Sequence, residues 1–389
     1  MRYVDEFRDG EAGKRLAERI ARVVDRVGPR RGPIKIMEVC GGHTHAIFQF
    51  GLPSLLPEAI ELVHGPGCPV CVLPIGRVDE AIALAELPNV VFATFGDAVR
   101  VPGSNKSLLV AKAEGADVRT VYSPMDALSI ARKNRDKNVI FFGLGFETTA
   151  PSTALTILEA ARAGDENFSV FCNHITIPAT LEALLDAPDV EVDGLIGPGH
   201  VSLVIGTRPY EPIARAHRRP FVVSGFEPLD VLLSIYLVVS QIADGRAEVE
   251  NQYRRVVLPG GNPAAQAAMA EVFEPRASSE WRGLGSIPRS GLAIRPAYAR
   301  FDAEQRFAAP SRSAAPATDP KACRCGEVLR GTIKPWECKV FGTSCTPETP
   351  IGACMVSSEG ACAAYYGYGR LETVRGLAED GRRRLRTLA

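Results

Sequence analysis

Six of the ten cysteines fall within forty residues: Cys323, Cys325, Cys338, Cys345, Cys354 and Cys362. The surrounding text is rich in Gly, Pro and Thr and poor in long apolar runs, so something other than apolar packing must hold this module together. Four thiolates suit either zinc or an iron–sulfur cluster. Structural zinc usually shows two tight CxxC knuckles. Here the only close pair is the CxC of Cys323 and Cys325, and the later spacings are x12, x6, x8 and x7. Six thiols are also two more than a four-ligand centre needs. A [4Fe–4S] cluster with four scattered ligands and a nearby dithiol accounts for all six, although one or two of them could be small buried hydrophobes instead.

Two further thiol elements lie near the N-terminus. Cys40 ends the candidate strand IKIMEV and opens CGGHTH, with His43 and His45 alternating about Thr44. Ligands of open α/β sheets gather at the carboxyl ends of strands, where Cys40 is expected. A cysteine beside histidines can hold a soft transition metal, or the segment is simply a Gly-rich turn into a helix. The second element is HGPGCPVC, His64–Cys71. Its CxxC with an internal proline resembles a thioredoxin-type pair, in which a lowered pKa makes one sulfur nucleophilic; it also suits metal binding or disulfide exchange. Cys40, Cys68 and Cys71 could converge on one site.

Three later segments also end candidate strands. FFGLGFETTAPS carries Glu147 but lacks the third glycine of a dinucleotide fingerprint. FCNHITIP carries Cys172 and His174, and GLIGPGHVS carries His200. Five of the six histidines, all but His217, adjoin such turns. Singly each reads as a structural histidine; together they mark a polar cleft facing the thiols. Cys172, inside a strand run, reads as core.

The elements that must position these residues follow a βαβ rhythm. Short β-branched or aromatic runs at Ile34–Val39, Ile60–Val63, Val90–Phe95, Val118–Tyr122, Val139–Phe142, Phe168–Cys172, Leu195–Ile196 and Phe221–Val223 alternate with helical segments. That alternation predicts parallel sheet covered by helices. Eight runs over about 200 residues fit two Rossmann-like lobes facing a cleft, plus the small Cys-rich region. The expected division is an N-terminal helix over 1–27, lobe 1 over 28–122, lobe 2 over 123–224, and a helix in 225–245 that crosses back to lobe 1. The C-terminal region, 246–389, is expected to hold a linker over 302–322, the Cys-rich module over 323–369 and a charged terminal helix.

The 389 residues balance 45 Lys and Arg against 45 Asp and Glu. Such a chain has no electrostatic reason to bind nucleic acid or an anionic membrane. No apolar stretch reaches eighteen residues, and the N-terminus is charged from its start, so a cytoplasmic setting with reduced thiols is expected.

Seven segments, in this order, resemble the HypD family of [NiFe]-hydrogenase maturation proteins: MEVCGGHTHAIFQFGL, HGPGCPVCV, FFGLGFETTAPSTA, FCNHITIPATLEALL, GLIGPGHVS, VSGFEPLDVL and MVSSEGACAAYY. The resemblance spans about residues 30 to 370, with no clear departure at the motif positions. It implies a scaffold that, with the small chaperone HypC, holds one iron while cyanide and carbon monoxide are attached to form Fe(CN)2CO for the hydrogenase large subunit. HypE, working with HypF, would deliver the cyanide. The resemblance maps the iron-holding thiolate onto Cys40, with His43 close by, and an exchange or electron-relay pair onto Cys68 and Cys71. It maps the [4Fe–4S] ligands onto Cys323, Cys338, Cys345 and Cys362, leaving Cys325 and Cys354 as a redox dithiol. Glu147, His174 and His200 become candidates for orienting ligands or moving protons.

Anaerobically purified protein is therefore expected to be brown, with broad visible absorbance that bleaches on reduction. A colourless protein carrying stoichiometric zinc in elemental analysis would reverse the assignment.

Overall fold

The computed structural model describes residues 5–307 and 319–368. The middle of the expected linker (308–318), residue 369 of the module and the charged terminal helix lie outside the described residues. Helix α1 (Gly10–Val27) begins where the Asp9 carboxylate accepts the Glu11 and Ala12 amides at 2.9 and 3.0 Å, an N-cap. It buries Ala17, Ile20 and Val23.

The chain then alternates as the runs predict. Strands β1 (Ile34–Glu38) and β2 (Ile60–His64) flank α2 (Gly41–Gln49). Next come α3 (Ile75–Ala85), β3 (Val90–Thr94), α4 (Leu108–Ala113), β4 (Val118–Thr120), α5 (Pro124–Lys133), β5 (Asn138–Gly145), α6 (Ala150–Ala163) and β6 (Phe168–His174). Then follow α7 (Ile177–Leu185), β7 (Gly194–Pro198), α8 (Gly199–Ile205), α9 (Glu211–His217), β8 (Phe221–Ser224), α10 (Pro228–Ala243) and β9 (Val249–Asn251). All eight expected strands form; β9 is a ninth, too short to stand out in the sequence.

Every pairing in the two large sheets is parallel. One sheet has the order β2-β1-β7-β8-β9 and the other β4-β3-β5-β6. The sheets do not divide the strands at Tyr122. Strands β3 and β4 join the second sheet and β7 and β8 return to the first, so the chain leaves the first lobe after α3 and re-enters it after α7. Hydrophobic periodicity marks a strand but not its partner, which is why an even split was expected. Helix α10 packs on α1, β7 and β8, inside the first lobe. The second lobe is filled by Phe92, Phe141, Phe142, Phe168 and Phe171, all essentially inaccessible.

After α11 (Pro263–Val272), two antiparallel pairs form, β10 (Phe273–Pro275) with β13 (Leu292–Ile294) and β11 (Ser278–Trp281) with β12 (Gly285–Pro288). The expected linker starts too early at 302. Asp302 bridges to Val170 of β6 and caps the short α12 (Ala303–Arg306), and Ala303 is fully buried. Its Ala-rich composition hid this packing. The cysteine-rich segment carries α13 (Cys325–Leu329) and α14 (Ala361–Tyr368). Among the described residues no helix is long and apolar enough to cross a membrane.

The α10 interface is the main apolar seam of the first lobe. Truncating its inaccessible Ile235 to Ala should cost about 3 kcal/mol in urea unfolding, with an unchanged m-value.

Candidate functional site

Cys40 leaves β1 in extended conformation and caps α2. Its carbonyl accepts the His43 and Thr44 amides at 2.8 and 3.2 Å. Three stretches of backbone meet here. The Gly41 amide donates to the Gly67 carbonyl at 3.1 Å. A Cβ on Gly67 would sit 2.3 Å from the Cys40 nitrogen, and one on Gly41 would sit 2.4 Å from Cβ of Glu359. Only glycine permits that approach. The Cys40 side is thus pressed against the residue preceding Cys68. Cys40 itself is 7% exposed. Burial pushes its thiol well above the ordinary range, with the Glu359 and Glu38 carboxylates adding to the shift.

His43 lies one turn along. Its Nε2 faces the carbonyls of Ser224 and Gly225 at 3.2 and 3.0 Å. Carbonyls only accept, so Nε2 carries the hydrogen and Nδ1 keeps a free lone pair. That Nδ1 is buried without a hydrogen-bond partner among the described residues. Burial lowers the ring's pKa to about 4, so the imidazole is neutral. Phe226 lies between two imidazoles, stacked on His43 at 4.5 Å and on His200 at 3.8 Å. His43 and His200 therefore share one wall beside the Cys40 loop.

Cys68 and Cys71 are joined as a disulfide, as are Cys325 and Cys354. Cys323, Cys338, Cys345 and Cys362 are free thiols. All six C-terminal cysteines line one small cavity with Val328, Val340, Phe341 and Met355. Burial lifts the Cys323 thiol to about 11, and it lifts Cys362 well above its usual range, where the neighbouring cysteines add to it. The segment docks on both lobes. Ser357 donates to Asp97 at 2.7 Å and Arg100 to the Val356 carbonyl at 2.7 Å, while Lys334 reaches the Leu62 carbonyl at 2.5 Å and Glu61 at 2.9 Å. Among the described residues no three His, Cys, Asp or Glu side chains gather tightly enough for one ion.

Glu147 follows β5, and its carboxyl accepts the Ile177 amide at 3.1 Å. Burial raises it to about 7. Tyr210, buried and within 3.2 Å of the Ser202 hydroxyl, has its phenol raised by burial, with Glu147 and Cys40 both adding. Glu147 and Cys40, from different lobes, thus both stand near Tyr210. His174 is packed differently. Its Nε2 pairs with the Thr153 hydroxyl at 2.9 Å and its edge meets Phe273. It lines a separate open cavity of about 1040 Å³, together with Leu73, Arg77 and Arg282. Cys172 is buried and donates to the Leu292 carbonyl. The arrangement thus unites Cys40, His43, His200 and the loop bearing Cys68 and Cys71, and leaves His174 elsewhere. Sequence reasoning missed Glu38, Phe226, Glu359 and Tyr365. A glutamate beside the buried Ile36 and Met37 at a strand end was the available signal, since an unpaired buried carboxylate is costly.

Two parallel α/β lobes meeting at glycine-bound thiol loops, with a cysteine-rich segment across both, define a thiol-bearing α/β protein. The chain belongs to the HypD family. The HypD family model, described as the hydrogenase formation hypA family, matches residues 11–369. The chain is 57% identical to hydrogenase maturation factor HypD of Rhodobacter capsulatus over 373 residues, covering 95% of this chain and 98% of that one. It is 54% identical over 374 residues to the Escherichia coli K12 factor of that name, covering 96% and 100%. With the Cupriavidus necator factor the identity is 53% over 381 residues, covering 96% and 99%.

A raised carboxyl pKa makes Glu147 a pH-dependent liability. Folded, it stays protonated to about pH 7; unfolded, it ionises near 4.5. Its favourable contribution is complete below about 4.5 and is lost as pH rises to 7. Glu147→Gln should therefore gain stability relative to the native chain between pH 5 and 8, by on the order of 3 kcal/mol. Denaturant titrations at several pH values read it directly; parallel curves would contradict it.

Proposed function

We propose that the protein is a scaffold for assembling the Fe(CN)2CO unit of [NiFe]-hydrogenase, working with HypC and receiving cyanide from HypE, which HypF supplies. The observation that carries this reading is the buried Cys40 thiol pressed against the Cys68–Cys71 loop in a HypD-family chain. The iron is cargo. Cys40 is the protein's anchoring ligand for it, and a cysteine of HypC is the second. A buried neutral thiol ionises when a cation arrives to replace its proton, so metal capture and thiolate formation are one event. The neutral His43, held by two carbonyls with Nδ1 free, is oriented as a supporting donor.

Cyanide release from a thiocyanate needs two electrons. When reduced, Cys68 or Cys71 attacks the donor's sulfur, the S–CN bond breaks and cyanide leaves. The other thiol of the pair then resolves the mixed disulfide. Two thiols give up two electrons and two protons as the Cys68–Cys71 bond forms; one proton returns to the donor's thiol and one accompanies cyanide. Glu147, protonated near neutrality, is placed to manage that proton near Tyr210. His200, on the shared wall, orients the incoming ligand.

The C-terminal donor set fits a [4Fe–4S] cluster. Four free thiols surround one cavity of sulfur and apolar side chains instead of converging on a point, and a paired dithiol borders it. Cys323, Cys338, Cys345 and Cys362 would hold it. When bound, it supplies electrons at low potential. Cys325 and Cys354, which border the same cavity, would be a redox dithiol beside it. A general thiol oxidoreductase would use these pairs but leaves Cys40 and the His43–Phe226–His200 stack without a task.

Infrared spectra of the chain purified anaerobically with HypC should show cyanide and carbonyl stretches that disappear in Cys40→Ala. A brown complex without such bands, despite an active cyanide supply, would favour the oxidoreductase.

A further inference from the structure

A buried chain of polar side chains joins α14 to the Cys40 loop. Glu38 and His64 end the adjacent parallel strands β1 and β2 and are register partners. They are 1% and 3% exposed. The His64 Nδ1 lies 2.5 Å from Glu38 Oε1, and the His64 Nε2 lies 3.1 Å from the Tyr365 hydroxyl. The other Glu38 oxygen accepts the Cys40 amide at 3.1 Å, and the Thr44 hydroxyl donates to Oε1. A carboxylate only accepts, so Nδ1 carries the imidazole hydrogen. Nε2 is then the acceptor and Tyr365 the donor. Every hydrogen in the chain has one direction.

Tyr365 comes from α14, three residues beyond Cys362, so the two share a helix face. Phe48 packs on Tyr365 at 3.9 Å and on His64 at 5.7 Å, and Trp336 packs on Tyr365 at 4.9 Å. This aromatic sleeve shields the chain from water, so a broken link has little solvent to replace it. Lys334 on Glu61 and Ser357 on Asp97 hold the segment away from the loop, while Glu359 against Gly41 and the Tyr368 hydroxyl, 3.1 Å from His45 Nε2, meet α2 without bonding the Cys40 amide.

We propose that Glu38, His64 and Tyr365 are positioning residues that couple the helix carrying Cys362 to the Cys40 loop, so that a change at the six-cysteine cavity is felt at the Cys40 thiol. This rests on the reading of Cys40 as the anchoring thiolate. A shift of α14 moves the Tyr365 hydroxyl, which moves His64, which moves the carboxylate holding the Cys40 amide. The coupling is reciprocal: occupancy at Cys40 biases the cavity equally.

The test is the rate at which iodoacetamide alkylates Cys40 in the full-length chain, followed anaerobically by peptide mass spectrometry. It needs neither iron nor a partner. Cys362→Ser should raise the rate fivefold or more, the lower end of ordinary coupling between sites. Tyr365→Phe should raise it similarly, and the double variant should be no faster than the faster single one, because both cut one path. His64→Asn keeps a donor nitrogen for Glu38 but loses the link to Tyr365. It should raise the Cys40 rate as Tyr365→Phe does. Multiplicative effects in the double variant, or a Cys40 rate indifferent to Cys362→Ser, would overturn the proposal. Either result would leave the anchoring role of Cys40 to the infrared experiment, and missing infrared bands would in turn leave the coupling measurement intact.

Discussion

The arrangement depends on a steric constraint at Cys40. Three backbone segments, from the ends of β1 and β2 and from the turn before α14, approach so closely that Gly41 and Gly67 have no room for a Cβ. Contact of this kind is all or nothing. A side chain at either position would have to push whole segments apart, because backbone cannot fold away as a flexible side chain can. The glycines therefore set how near the Cys68–Cys71 pair comes to Cys40, and they let the C-terminal segment close over the loop.

Burial is the second determinant. Around Cys40, Glu38 and Glu359 supply negative charge, and His43 is neutral. In such surroundings a thiol keeps its proton until a positive charge is brought to it. The same burial raises Glu147 to about 7 and lowers His43 to about 4, so His43 is neutral and Glu147 titrates near neutrality. The Cys40 thiol and the His43 ring are thus held neutral beside carboxylates, and a cation arriving as cargo changes that balance.

Much of the architecture was legible from local pattern. The eight apolar runs became eight strands because a parallel strand covered on both faces must be apolar along its length, and that leaves a signal in any window. Cys40, Cys68 and Cys71 were legible because cysteines and glycines at strand ends are chemically conspicuous. The partition of strands between sheets was not legible, because β3 and β7 carry the same kind of apolar run as β1 and β5. The start of the linker was misread because alanine suits both a packed turn and a loose tether. His174 looked like a site residue by its position at the end of β6; its Nε2 pairs with Thr153 and its ring edge meets Phe273, away from the Cys40 wall.

The sequence by itself determined the α/β class, the parallel strands, the family and the thiols that matter, because periodicity and residue chemistry are local properties. Only the tertiary structure decided how the strands divide between the two sheets, that Phe226 stacks between His43 and His200, and that Glu38, His64 and Tyr365 form one hydrogen-bonded line. Those facts join residues up to about 300 positions apart. They follow from how the two sheets and the C-terminal segment pack, and no window along the chain carries that information.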